Sequence, residues 1–218
     1  MTRHLEMSPL ANASLYAILD LGYVAEADAV AVTKSLLGGG AGLLQLRAKG
    51  HELALIERVA RQLLPLCRAA KVPFILNDHP ELAALVDADG VHIGQDDGTL
   101  VGTRKIVGPG KWIGRSTHSL DQARAALTEG FDCIGFGPLF PTPTKAGRPG
   151  IGLEDIATME REVGSKIPAF CIGGITPATL PNVIAAGARR VVVVSALLRA
   201  ADIESATREV VETLGASV

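Results

Sequence analysis

Gln45, Arg47 and Lys49 alternate along one short stretch of the chain. If that stretch is extended, a period of two puts all three side chains on one face. An amide and two cations on one face make a clamp for an anion, with arginine binding phosphate through a fork and lysine as a point charge. The same cations could equally be ion-pair partners of nearby acids. Asn77-Asp78 and Asp97 supply two carboxylates after two neighbouring apolar runs. Carboxylates so placed can share a hard cation such as Mg²⁺, which takes one or two protein carboxylates and fills its shell with water and phosphate oxygens. Aspartates after strands also serve as plain helix caps, the role expected for Asp96.

The segment Gly137-Pro138-Leu139-Phe140-Pro141-Thr142-Pro143-Thr144-Lys145 carries three prolines, two hydroxyls two residues apart, and a cation. Stiffening by proline leaves little ordering entropy to lose when donors close on an anion. Gly173-Gly174 and Val194-Ser195 follow the last two apolar runs, where glycines let a phosphate approach backbone N–H groups. His118 stands alone, and a lone histidine near a helix start is more often a cap or packed polar residue than an acid or base. Ser116 has only His118 near it in sequence to activate it, so no strong nucleophile stands out.

These residues need elements to position them. From Leu15 onward, short apolar runs alternate with turns and longer amphipathic segments, the pattern of parallel strands joined by crossover helices. Eight strands are expected: Leu15–Leu19, Leu43–Leu46, Pro73–Leu76, Gly90–Ile93, Lys111–Gly114, Cys133–Phe136, Ala169–Ile172 and Val191–Val194. Leu53–Ala70 and Leu120–Glu129 read as helices, a weaker one lies near Thr99–Val107, and Thr176-Pro177 reads as a cap with proline at the first helical position. Eight β-α units in 218 residues could close into a barrel or lie open as a doubly wound sheet. Polar residues follow nearly every strand: Asp20, Gln45 to Lys49, Asn77-Asp78, Gln95 to Asp97, Ser116 to His118, Gly137 to Lys145, Gly173-Gly174 and Ser195. A barrel gathers all of them on its C-terminal rim, whereas an open sheet would favour one switch point. The expected fold is therefore an α/β (β/α)8 TIM barrel in one domain, residues 15–218, behind an N-terminal extension, residues 1–14.

Composition narrows the function. A chain 48% hydrophobic and 20% charged can build a large core and is not disordered. Only 4% is aromatic and the net charge is −2, which argues against nucleic acid and anionic lipid as partners. Any phosphate must be met by local charge. Cys67, Cys133 and Cys171 are widely spaced, and buried thiols suit a reducing compartment. The N-terminal residues lack an apolar signal region, and the longest apolar run, Val191 to Leu198, is far short of the ~20 residues of a membrane helix. The expectation is a cytoplasmic enzyme for small anionic molecules, with room left for a homo-oligomer.

Six motifs together carry a resemblance. Gln45-Leu46-Arg47-Ala48-Lys49, Asn77-Asp78, Ala88 to Asp97, Gly114-Arg115-Ser116-Thr117-His118, Gly135 to Pro138 leading to Pro141 to Lys145, and Ile172 to Ile175 resemble the thiamine-phosphate synthase family in order and spacing over roughly residues 15–200. The resemblance implies a Mg²⁺-dependent transferase. It would join a hydroxymethylpyrimidine diphosphate to the ring nitrogen of a thiazole phosphate, releasing pyrophosphate, and CO2 if the thiazole is carboxylated. It implies that Gln45, Leu46, Arg47, Ala48, Lys49, Asn77, Ser116 and Lys145 hold the pyrimidine diphosphate, with Arg47, Lys49, Ser116 and Lys145 acting in catalysis. It implies Asp78 and Asp97 as Mg²⁺ ligands, and Thr142, Pro143, Thr144, Gly173, Gly174, Val194 and Ser195 for the thiazole phosphate. The rival within the superfamily is a thiazole tautomerase, which would use His118 and need no diphosphate clamp. A non-catalytic ligand sensor on the same barrel is a second rival, favoured only if a catalytic group were missing. Arg189-Arg190 before strand 8 departs from the family pattern, at the end away from the chemistry.

Overall fold

The computed structural model describes residues 9–142 and 149–216. Eight parallel strands close into one barrel in sequence order: β1 (Leu15–Asp20), β2 (Leu43–Arg47), β3 (Phe74–Asn77), β4 (Gly90–Ile93), β5 (Trp112–Thr117), β6 (Cys133–Phe136), β7 (Ala169–Ile172) and β8 (Val191–Val193). The ring is sealed by β1 pairing with β8, Tyr16 opposite Val192. The helices are α1 (Pro9–Asn12), α2 (Ala29–Gly38), α3 (Leu53–Ala70), α4 (Pro80–Leu85), α5 (Leu100–Val107), α6 (Leu120–Glu129), α7 (Ile156–Met159), α8 (Leu180–Ala185), α9 (Ser195–Leu198) and α10 (Ile203–Gly215). The expected single-domain (β/α)8 barrel is the observed one.

Two apolar layers hold it. The larger lies between barrel and helices, and includes Leu15, Ala17, Leu19, Leu44, Leu46, Phe74, Leu76, Val91 and Ile93. The smaller fills the barrel itself, with Tyr16, Ile18, Leu43, Ile75, Cys133, Phe170 and Val192. Alternation along each strand feeds the two layers in turn. It also decides which polar residues enter the barrel: Gln45 and Arg47 share the inward parity of Leu43, and Asn77 that of Ile75.

Helix starts follow local chemistry. Thr99 caps α5 by accepting from Gly102 N at 3.1 Å, and Ser119 caps α6 by accepting from Gln122 N at 3.2 Å. Gly130, at φ +96°, then ends α6 in the left-handed region that glycine tolerates. The helix after β7 differs from expectation. It starts at Leu180, not Pro177, because Thr176 and Thr179 bond each other's N–H groups around a separate turn. Several strands run further than expected. β1, β2, β3 and β5 extend through Asp20, Arg47, Asn77 and Ser116-Thr117, since a polar side chain at the barrel mouth costs the backbone ladder nothing.

The end opposite the rim is closed by α1. Leu10 and Ala13 are buried in the inner layer, and Arg190 donates to the Ala11 carbonyl at 3.0 Å. Residues 9–14 are therefore the floor of the barrel, and Arg190, the departure noted above, fastens that floor. Glu160 is buried nearby and accepts from Arg189 N at 3.3 Å.

Candidate active site

The main cavity opens at the C-terminal rim and reaches into the barrel, enclosing about 850 Å³ including its mouth. Its wall contains Gln45, Arg47, Asn77, Ser116, Thr142, Gly173, Gly174, Val194 and Ser195 among the expected site residues. It also contains Tyr16, Ile18, His92, His118 and Ile172. Pro143, Thr144 and Lys145 lie outside the described residues.

The deep end is polar on one side. Gln45 Nε2 donates to the Tyr16 hydroxyl at 2.6 Å, and His92 Nε2 lies 3.2 Å from Ser116 Oγ. Tyr16 meets His92 and Phe170 edge to face at 6.3 and 5.2 Å between centroids. Burial holds the Tyr16 phenol well above its ordinary range, with Cys133 adding to the rise and the Gln45 bond opposing it, so it stays protonated. Apolar walls with a few fixed amide and hydroxyl groups suit a flat nitrogen heterocycle.

The rim is charged. Arg47 hydrogen-bonds Asp20, which is almost fully buried, and Lys49 Nζ lies 3.0 Å from Asp78 Oδ2. Both cations are thus paired, as the ion-pair alternative expected. Pairing also aims them: Arg47 still lines the cavity, held by an acid beneath it. Lys49, Asp78 and Asp97 do not line the cavity and form a cluster beside Asn77. Asp78 sits at φ +64°, with the Asp97 carboxyl close enough to act on its own. Its carboxyl is raised above the ordinary range, first by burial and then by Asp97, while Lys49 opposes the rise. Two acids pressed together with one lysine keep a net negative charge, and two carboxylates are the usual protein share of a Mg²⁺ shell. The donor set therefore fits Mg²⁺.

On the opposite side the Gly137 to Thr142 loop lies along the end of β7. Leu139 N donates to Ile172 O at 2.8 Å and Phe140 N to Gly173 O at 3.1 Å. The contact is close enough that a Cβ on Gly137 would meet Ile172 O at 2.0 Å, and one on Gly173 would meet Pro138 Cα at 2.4 Å. These glycines are there for close approach. Val194 and Ser195 open α9, whose first N–H groups have no partner within the helix.

Besides Lys49, two expected contacts are not brought to the cavity. The side chains of Leu46 and Ala48 are buried in the outer layer against the helices, so only their backbone could touch a substrate. Period two dictates this once Gln45 and Arg47 face inward. Ser116 is partnered by His92, not by His118, whose Nδ1 is bonded to Gly137 O. Tyr16 and His92 were not singled out from sequence. His92 could have been, since it alternates with Val91 and Ile93 in β4. Nothing local marks Tyr16, which meets Gln45 across 29 residues.

A closed parallel barrel with its cavity and polar side chains at the C-terminal rim is the architecture of barrel enzymes. Residues 15–197 match the family described as thiamine monophosphate synthase. The chain is 46% identical over 182 residues to a thiamine-phosphate synthase of Thermus thermophilus, covering 84% of this chain and 87% of that one. It is 42% identical over 195 residues to one from Geobacillus kaustophilus, with 88% of each covered. A solved thiamine phosphate pyrophosphorylase from Pyrococcus furiosus superposes with a TM-score of 0.85 at 31% identity, covering 94% of this chain and 97% of that one. The chain belongs to the thiamine monophosphate synthase family and is a transferase. No helix among the described residues is long and apolar enough to cross a membrane.

Proposed function

We propose that this protein is a thiamine-phosphate synthase. It couples a hydroxymethylpyrimidine diphosphate to a thiazole phosphate, plain or 2-carboxylated, and releases pyrophosphate, with CO2 as well from the carboxylated form. The observation that carries the reading is the polarity of one cavity: a ring-sized slot at Tyr16, Gln45 and His92 beneath a cationic rim at Arg47. A tautomerase would need one phosphate site and no diphosphate clamp beside it.

Gln45, Asn77 and Ser116 orient the pyrimidine, and Arg47, Lys49 and Lys145 receive its diphosphate. Thr142, Thr144, Gly173, Gly174, Val194 and Ser195, with Pro143 as stiffener, receive the thiazole phosphate. Asp78 and Asp97 would hold Mg²⁺, which when bound neutralises charge on the diphosphate. The bond between the methylene carbon and the diphosphate oxygen breaks, and the electron pair leaves with pyrophosphate. Arg47, Lys49 and Lys145 stabilise that growing charge. The pyrimidine amino group delocalises the positive charge left on carbon, and the thiazole nitrogen lone pair forms the new bond. No covalent bond to the enzyme is required.

The test is direct. Purified protein is incubated with both heterocycles and Mg²⁺, and the product is oxidised and read by fluorescence. Thiamine phosphate and pyrophosphate should appear together in equal amounts. Turnover of the thiazole phosphate alone, with no coupling, would overturn the reading.

A further inference from the structure

Arg115 is an odd residue for its place. It lies on β5 with outward parity, between inward-facing Gly114 and Ser116, where neighbouring strands carry Ile93 and Ile134. Among the described residues it has no acid within ion-pair distance. Its guanidinium instead donates to three carbonyls of one loop: Gly94 O at 2.9 Å, Gly98 O at 2.8 Å and Gln95 O at 3.2 Å. The cation also lies 5.3 Å from the centre of the Phe131 ring.

Gly94 to Gly98 is the loop that carries Asp97. A glycine at each end gives it many conformations in the absence of restraint, and Gly98 sits at φ +121°. Arg115 ties both ends to β5. Gln95 adds a further tie by donating to Ser116 O at 2.6 Å, and Asp97 Oδ2 accepts from Gly94 N at 2.7 Å. Asp96 and Asp97 are adjacent like charges on this loop, and the guanidinium is the cation bonded to its backbone. We infer that Arg115 is a positioning residue for the metal: it holds the Asp97 loop in register with Asp78 at the end of β3, so that the two carboxylates meet before the cation arrives. The inference rests on the reading of Asp97 as a metal ligand.

Outer partners of metal ligands typically change metal affinity by about 10- to 100-fold when removed. The experiment compares wild type, Asp97→Asn and Arg115→Met, the last keeping an apolar stem over Phe131 while losing every donor. Mn²⁺ binding is titrated by electron paramagnetic resonance of the free ion, with and without inorganic pyrophosphate. Turnover is then measured against Mg²⁺ concentration. Arg115→Met should weaken Mn²⁺ binding at least about tenfold, while kcat at saturating Mg²⁺ stays within about threefold of wild type. Asp97→Asn should weaken Mn²⁺ binding as well. Weakening by Asp97→Asn with unchanged binding in Arg115→Met would overturn the role of Arg115 and leave the metal reading standing. Unchanged binding in Asp97→Asn would remove the metal reading and this inference with it. Loss of kcat with unchanged Mn²⁺ binding would also overturn the role assigned to Arg115. If Arg115→Met unfolds at the assay temperature, Arg115→Lys carries the same test, because a point charge cannot serve both loop ends as a planar fork does.

Discussion

Arg47 is held at the cavity wall by Asp20, an acid buried beneath it at the end of β1. Such a cation is aimed in advance, so less freedom would be lost on binding the diphosphate proposed for it. Two unit charges about 4 Å apart are worth about 4 kcal/mol at an effective dielectric near 20. Losing half of that from the transition state costs more than about tenfold in rate. Arg47→Ala and Lys145→Ala should each lower kcat/KM by at least that factor, and Arg47→Ala should also lower the melting temperature, because it leaves the buried Asp20 without its partner. Activity within about twofold of wild type in both would remove the clamp. The acids make a separate prediction. Asp78→Asn and Asp97→Asn should each raise the Mg²⁺ concentration for half-maximal activity, and EDTA should stop turnover. A Mg²⁺ titration checks this, and an unchanged midpoint in both variants would take these residues out of the metal site.

The elements at the opposite end of the barrel serve stability. Leu10 of α1 is buried against the inner layer, far from the rim. Leu10→Ala should cost about 2–4 kcal/mol in urea unfolding and leave KM and kcat unchanged. A loss of activity without a loss of stability would mean that the floor of the barrel is coupled to its mouth. The irregular turn after α7 carries a second prediction. Burial holds the Glu160 carboxyl above its ordinary range, against the Arg189 N–H and the charges of Arg190 and Arg189. The folded form therefore binds this proton more tightly than the unfolded form. Its contribution is fully present below the ordinary carboxylate value and is lost as pH rises through the raised one. Measured between about pH 4 and 7, wild type should lose melting temperature relative to Glu160→Gln as pH increases. Parallel curves would show that Glu160 titrates normally.

At the scale of the molecule, the barrel converts eight scattered strand ends into one enclosed mouth. Enclosure matters for the chemistry proposed, because a cation formed on the pyrimidine methylene must meet the thiazole nitrogen before water does. An electron-withdrawing substituent on the pyrimidine should slow the chemical step by more than about tenfold in single-turnover experiments, where product release cannot mask it. Slowing of less than about threefold would favour direct displacement and leave the binding residues as assigned.

Periodicity and punctuation alone determined much of this protein. Apolar runs between polar turns specified eight β-α units, because these signals are local, whereas the helix start read at Thr176-Pro177 falls instead at Leu180. The spacing of Gln45, Arg47 and Lys49 placed two polar side chains in the barrel mouth, since strand alternation is a property of the backbone. Tertiary structure decided the partners. That Arg47 meets Asp20, that Ser116 meets His92, and that Tyr16 caps Gln45 depends on the stagger between strands, which no single segment encodes. The end of β7 likewise acquired its neighbour only by long-range closure, when the Gly137 to Thr142 loop came to rest on Gly173. The physical reason is range: hydrogen bonds within a turn are written in adjacent residues, whereas a barrel's register is set by all eight strands closing at once.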